Sequence, residues 1–328
     1  MMKNPLRRDP TRTTTLRKQF ITELGKRFNK LRKELNKLMV KDDVFGAKAS
    51  VSPFTFNYDQ VQNVGKQAWR FHTADKKLTA FNKWFQQRVK DSVLDVDTTG
   101  KPWLAKYVES SYKTGALRAY TDAHPELGIE SPDFYRGSKE QFLKSAFGAP
   151  ERVSKLKLLY TRTFEELKGI TAVMSQQVSK QLAQGIADGK NPLDIARGMS
   201  KTIDGISKSR ARTIARTEMI YAHAEGQLDA FEDLGVDELD IMAEWNTAGD
   251  DRVCDECQPL EGVLLSVDEA RGLLPRHPNC RCAWIPANIG EKQKGEKRGK
   301  AAEEALRKSI KAEGGSKMSD WLGKELVK

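Results

Sequence analysis

All four cysteines of this chain lie between positions 254 and 282, and His277, one of only four histidines, lies among them. The order is Cys254-x2-Cys257, then His277-x2-Cys280-x-Cys282. Scattered cysteines do not fall this way in 328 residues. Tetrahedral zinc takes four N or S ligands, usually as two close pairs separated by a loop. Cys254-Asp-Glu-Cys257 forms one chelating pair, and His277-Pro-Asn-Cys280-Arg-Cys282 offers three donors for the other two places. Turn residues sit beside both: Asp250-Asp251 before the first pair, and Pro278-Asn279 within the second. The expected ligands of one structural zinc are Cys254, Cys257 and His277 with either Cys280 or Cys282, and spacing does not choose between those two. Two disulfides or reduced structural thiols are the alternatives. The start of the chain has no apolar signal core, which argues against an oxidising destination.

The rest of the sequence narrows the class. Hydrophobic residues make up 38% and charged residues 31%, enough for a core but with much charged helical surface. The longest apolar run, Cys282 to Ile285, is far short of the ~20 residues that span a membrane, so no membrane partner is expected. No repeat of 20–50 residues is visible.

Charge is unevenly placed. The net charge is +11, of which residues 1–41 carry +10 and residues 289–328 carry +4, so the middle is slightly acidic. A basic arm suits an anionic partner through counterion release. Arg7, Arg8, Arg12, Arg17, Lys18, Lys26, Arg27, Lys30, Arg32 and Lys33 are the candidates for non-specific DNA or an acidic partner. A solvated basic terminus is the plainer reading. Leu16, Phe20, Leu24, Phe28, Leu31, Leu35 and Leu38 form one helical stripe over 11–41. That stripe packs on its own domain or docks on another subunit.

The fold class expected is α+β and mainly helical: long N-terminal and central helices, then a small zinc-stapled β-rich module and a polar tail. The segments read as 1–42 (basic amphipathic arm), 43–150 (helical), 151–235 (helical), 236–288 (Cys/His module) and 289–328 (basic tail). Helices are expected at 75–93, 103–123, 151–168 and 170–188. A short one follows from Asn191-Pro192, and a long one runs from Ser207 to Leu234, ending at Gly235. Phe54, Phe56 and Tyr58 alternate like a strap, and 124–150 reads as a loop-rich connector. Short strands are expected at 241–245, 263–267 and 282–285. Trp69, Phe71, Phe81, Trp84, Phe85 and Trp103 sit at helical spacing and suit a core better than base stacking.

The second dense feature is Arg210-Ala-Arg212-Thr-Ile-Ala-Arg216-Thr-Glu218. Arg212 and Arg216 share a helix face. They either bind an anion, or one of them pairs with Glu218 or another acid and locks the helix against the strands.

These two features, with Gly226, Gly235-Val236, Trp245-Asn-Thr247, Asp251-Arg-Val-Cys254, Leu260-x-Gly262 and His277-Pro-Asn-Cys-Arg-Cys282, resemble the phage Mu F-like minor head protein family, also called phage head morphogenesis proteins. The resemblance covers roughly residues 170–287. It implies a non-enzymatic virion component, inside the capsid near the portal and in the host cytoplasm during assembly. Such a protein contacts the portal and possibly other head proteins, and acts in procapsid assembly and DNA packaging or ejection. Arg212, Arg216, Glu218, Trp245 and Asp251 are its structural motif residues. Some relatives carry a toxin or transferase domain after this region; here only about 40 polar residues follow Pro286.

A metal-dependent nuclease is the alternative, but such enzymes need catalytic His and Asn or Asp beside the zinc. His277 is the only histidine near the cluster, and His223 lies about 140° around the helix from Glu218. His72 and His124 are isolated. A zinc-containing DNA-binding regulator would need a recognition helix that the sequence does not offer.

Overall fold

The computed structural model describes residues 9–42, 44, 74–126, 139–234 and 241–288. The strap at Phe54–Tyr58, Trp69, Phe71, His72, Arg7, Arg8, the Gly235 cap and the tail from 289 lie outside them, as does the His124 side chain.

Among the described residues the chain is mainly helical, with one small sheet. Helix α1 is Thr14–Asn36 and continues as a π turn over Lys37–Lys41. Helix α2 is Ala74–Ser92, α3 Ala105–Glu126, α4 Lys139–Gly148, α5 Pro150–Ala187 and α6 Pro192–Asp233. Strands β1 (Ile241–Asn246), β2 (Leu264–Leu265) and β3 (Ala283–Asn288) form an antiparallel sheet in the order β2-β1-β3. A one-turn helix, α7 (Val267–Ala270), follows β2 and starts with a reciprocal Ser266–Glu269 capping box. No helix among the described residues is long and apolar enough to cross a membrane.

Three sequence expectations are corrected. The helices expected at 151–168 and 170–188 are one, α5, running through Gly169. The short helix after Asn191 and the long one after Ser207 are also one, α6, running through Gly205. A helical glycine costs only ~1 kcal/mol, and buried Leu167, Ile170, Ile203 and Ser207 beside these glycines outweigh it. The connector over 124–150 carries α4, whose Phe142 is buried with its ring centroid 5.1 Å from that of Tyr120. The stops did follow local chemistry. Gly189 takes φ +63° after α5, and Asn191 caps α6 by accepting from Leu193 N at 2.8 Å, with Pro192 in the first turn.

Two compact units are built from interleaved segments. One comprises Ile21–Trp103 and Phe164–Arg212. There the α1 stripe (Leu24, Phe28, Leu31, Leu35) is buried with Phe81 and Phe85 of α2, Met174 and Val178 of α5, and Met199 and Ile203 of α6. The stripe is thus covered by its own chain. Phe81 and Phe85 stack within this core, and Trp103 donates its indole N–H to the Val93 carbonyl at 2.9 Å.

The other unit comprises Met1–Phe20, Leu104–Thr163 and Thr213–Lys328. Its helices α3 and α6 touch backbone to backbone. A Cβ on Gly115 would lie 2.0 Å from the His223 carbonyl oxygen, and one on Gly226 2.2 Å from that of Tyr112. Ala116, Ala119, Ala123 and Ala224 extend the small-residue seam. Ser111 Oγ uses the proximity to donate to the Met219 carbonyl. The core beyond holds Phe231, Trp245, Trp284, Leu265 and Leu274, together with Cys257, Cys280 and Cys282.

Gly226→Ala is therefore expected to destabilise the protein by ~1–3 kcal/mol or more, because backbone has to move. Gly205→Ala, with nothing within 4 Å of the new methyl, is expected to stabilise it by ~0.5–1 kcal/mol. Denaturant melts of the two variants read the contrast.

Candidate metal centre

Two tight turns present the donors. Cys257 N and Gln258 N both donate to the Cys254 carbonyl, folding the first pair into a knuckle. In the second, Cys280 N donates to the His277 carbonyl at 3.1 Å, and Asn279 takes φ +65°. Proline at the first central position and asparagine at positive φ at the second are what a type II turn asks for.

The turns bring the donors together. Cys254 Sγ and Cys257 Sγ lie 3.0 and 3.2 Å from His277 Nε2, and Cys257 Sγ lies 3.9 Å from Cys280 Sγ. Two overlapping triads result, Cys254–Cys257–His277 and Cys257–Cys280–Cys282. All four cysteines are unbridged. A zinc tetrahedron has S–S edges of about 3.8 Å and S–N edges of about 3.6 Å, so the donor set fits with the imidazole withdrawing by a few tenths of an ångström.

The protons are arranged for a cation. His277 Nδ1 lies 2.8 Å from the Pro278 carbonyl, which can only accept. That fixes the N–H on Nδ1 and turns Nε2 to the sulfurs, the usual outer support of a metal-ligating histidine. The Cys280 sulfur holds a proton on His277, pushing it up to about 9. Hydrogen bonds from Cys257 and Cys282 pull the Cys280 thiol down, and donating to Cys280 pushes Cys257 up. Cys282 is also raised: a bond from Cys257 pulls it down, but the Cys280 charge and burial prevail. A divalent cation would displace these protons, so metal affinity falls as pH falls.

The surroundings hold the turns in place. Arg281, between the last two cysteines, grips Asp250 with both nitrogens at 2.6 Å, tying one knuckle to the other. That bond holds Asp250 well below the usual carboxylate range. Asp250 makes this clamp, whereas Asp251 is exposed. Trp245 is fully buried and packs edge-to-face on Trp284 at 5.2 Å.

The Arg-Thr-Glu helix corrects another expectation. Glu218 is buried and pairs with neither Arg212 nor Arg216; it accepts from Arg162 at 3.4 Å and Thr163 at 3.2 Å, both on α5. Two or six residues along a helix turn it by about 200° or 240°, so the arginines point elsewhere. Arg216 reaches the Asn279 carbonyl at 3.5 Å in the second knuckle, and Arg212 is exposed.

Several residues that position the site carried no sequence signal. Gln227 of α6 bonds both backbone groups of Trp284, donating at 2.6 Å and accepting at 3.2 Å, and so closes the open edge of β3. Asp229 is buried and accepts from Tyr112, Arg152, Lys155 and Arg271. Arg271, just after α7, also holds Glu225 and Glu232, fastening the loop before His277 to α6.

The basic arm divides. Arg17 is buried on Asp9 at 2.5 Å; Arg27 pairs with Glu23 and stacks on Trp103 at 4.3 Å; Arg32 pairs with Asp204 at 2.8 Å. Arg12, Lys18, Lys26, Lys30 and Lys33 are exposed.

A helical platform carrying a Cys/His-stapled three-stranded sheet is thus the class of domain that the fold and the site define. Residues 176–285 match the family model described as Phage Mu protein F like protein. No curated protein and no solved structure matches the chain.

His223 of α6 is fully buried, and neither ring nitrogen has a hydrogen-bond partner. Burial pushes it down to about 3. Between pH ~3 and its unfolded value near 6.5 the unfolded chain binds the extra proton, so stability rises with pH across that window. From pH 7 to 5 the residue is expected to cost ~2 kcal/mol. The pH dependence of unfolding should flatten by that amount in His223→Leu.

Proposed function

We propose that this protein is a phage minor head protein: a structural, non-enzymatic virion component that joins the head during procapsid assembly. The observation that carries this reading is the family match over 176–285, which ends within β3 and takes in all of α6 and both cysteine knuckles. We place the protein inside the capsid near the portal vertex, in contact with portal and other head proteins, after assembly in the host cytoplasm. The exposed cations of α1 support a non-specific contact with packaged DNA.

In this reading one zinc holds the small sheet. We take Cys254, Cys257, His277 and Cys280 as its ligands, since the Cys280 sulfur lies 3.9 Å from that of Cys257 and bears on His277. Cys282 lies beside them in the second triad. Four protein ligands fill a tetrahedral site, which suits structure rather than catalysis.

Purified procapsids and virions test the main claim. The protein should co-sediment with both and cross-link to the portal; particles that lack it would end the reading. For the metal, Cys280→Ser should lose bound zinc and the protease resistance of 241–288, whereas Cys282→Ser should keep one zinc per chain. X-ray absorption at the zinc edge reads both variants, and the reverse pattern would exchange the two ligands. Changing Arg12, Lys18, Lys26, Lys30 and Lys33 to Gln should weaken duplex DNA binding and flatten its salt slope by up to ~0.9 for each lost contact. An unchanged slope would mean that the arm binds protein.

A further inference from the structure

Four thiols sit at the metal centre, and none is bridged. A sulfur–sulfur contact joins the two knuckles: Cys257 Sγ of the first lies 3.9 Å from Cys280 Sγ of the second. Cys282 completes the triad with them. A disulfide brings its sulfurs to about 2.0 Å, so rotation of the two side chains has roughly 2 Å to cover. Cys254-x2-Cys257 has the spacing of a redox pair as well. There, however, both sulfurs rest on one imidazole nitrogen, His277 Nε2, at 3.0 and 3.2 Å. Cys257 thus has two partners to choose from, and direct contact favours Cys280.

The surroundings suit a bond between knuckles. The Asp250–Arg281 clamp spaces the two turns and contains no sulfur, so it survives oxidation. The cluster is also shallow. Cys254 and His277 are half-buried, and Asp255, Glu256, Gln258 and Asn279 in the two turns are exposed. A small oxidant therefore has a short way in, although Cys257 and Cys280 are themselves buried.

We propose that Cys257 and Cys280 are an oxidative cross-linking site, at which a peroxide joins them in a disulfide that ties the two knuckles together. One thiol takes an oxygen from the peroxide and becomes a sulfenic acid, with release of one water. The other sulfur then attacks it, the S–S bond forms, and the sulfenic oxygen leaves with the second thiol proton as another water. Two electrons pass from the two thiols to one peroxide. The bond closes the chain over residues 258–279, which carry β2 and α7, and so restricts the unfolded state. It also takes two sulfur donors out of the metal centre. The small sheet is then held by a metal in a reducing medium and by a covalent bond in an oxidising one. That exchange of one staple for another rests on the zinc reading; the bond itself needs only the two thiols.

The purified full chain, reduced and then exposed to hydrogen peroxide with and without EDTA, tests it. Free thiols should fall from four to two per chain, and peptide mapping before reduction should find Cys257 joined to Cys280. Limited proteolysis in EDTA is the independent readout. Residues 241–288 should be cut in the reduced protein and stay intact in the oxidised one, and dithiothreitol should undo the protection. Cys282→Ser keeps both partners and should cross-link as wild type does. Zinc content, measured in parallel, keeps the two readings apart: a chain that never holds zinc but forms the bond ends the metal reading alone. Cys257 joined to Cys254, Cys280 joined to Cys282, no loss of thiols, or cleavage of 241–288 in the cross-linked protein would overturn the proposal.

Discussion

The backbone contact of α3 with α6 is the constraint on which its unit depends. Gly115 and Gly226 let the two helices meet at a distance that no side chain permits. That approach puts the Tyr112 hydroxyl on Asp229 at 2.5 Å and Ser111 on a carbonyl of α6. It also leaves another face of α6 free to hold the sheet, where Gln227 serves as a substitute strand for the edge of β3. Helix α6 is therefore the common support: small residues toward α3, carboxylates toward α5 and Arg271, an amide toward β3, and Arg216 toward the second knuckle.

The small sheet has three strands, one of only two residues, and little core of its own. Its stability is borrowed from three sources: the Trp245–Trp284 pair, the buried charge cluster on Asp229, and the Cys/His knuckles. Removing one partner of a buried ion cluster costs several kcal/mol because the rest are left unpaired. A metal centre adds its binding free energy directly to folding. The Asp250–Arg281 clamp sets the spacing of the two knuckles before any cation arrives.

Much of this was legible in the sequence. The α1 stripe, the capping Asn191-Pro192, the three strands and the five donors of the Cys/His cluster all follow from spacing, because helix period, turn chemistry and chelation act over short stretches of chain. That α5 and α6 run unbroken through Gly169 and Gly205 was not legible. Burial beside a glycine decides whether it interrupts a helix, and burial is a tertiary quantity.

Sequence by itself determined which residues can bind a metal, which helix faces are apolar, and that residues 210–218 carry charge on a helix. Only the tertiary structure decided who answers that charge. Glu218 went to Arg162 and Thr163, Arg216 to the second knuckle, Arg17 into the interior beside Asp9, and Asp229 to three cations from two other segments. The physical reason is that a charged side chain has many possible partners of equal chemistry along the chain. Distance and desolvation choose among them, and those exist only once the helices have packed.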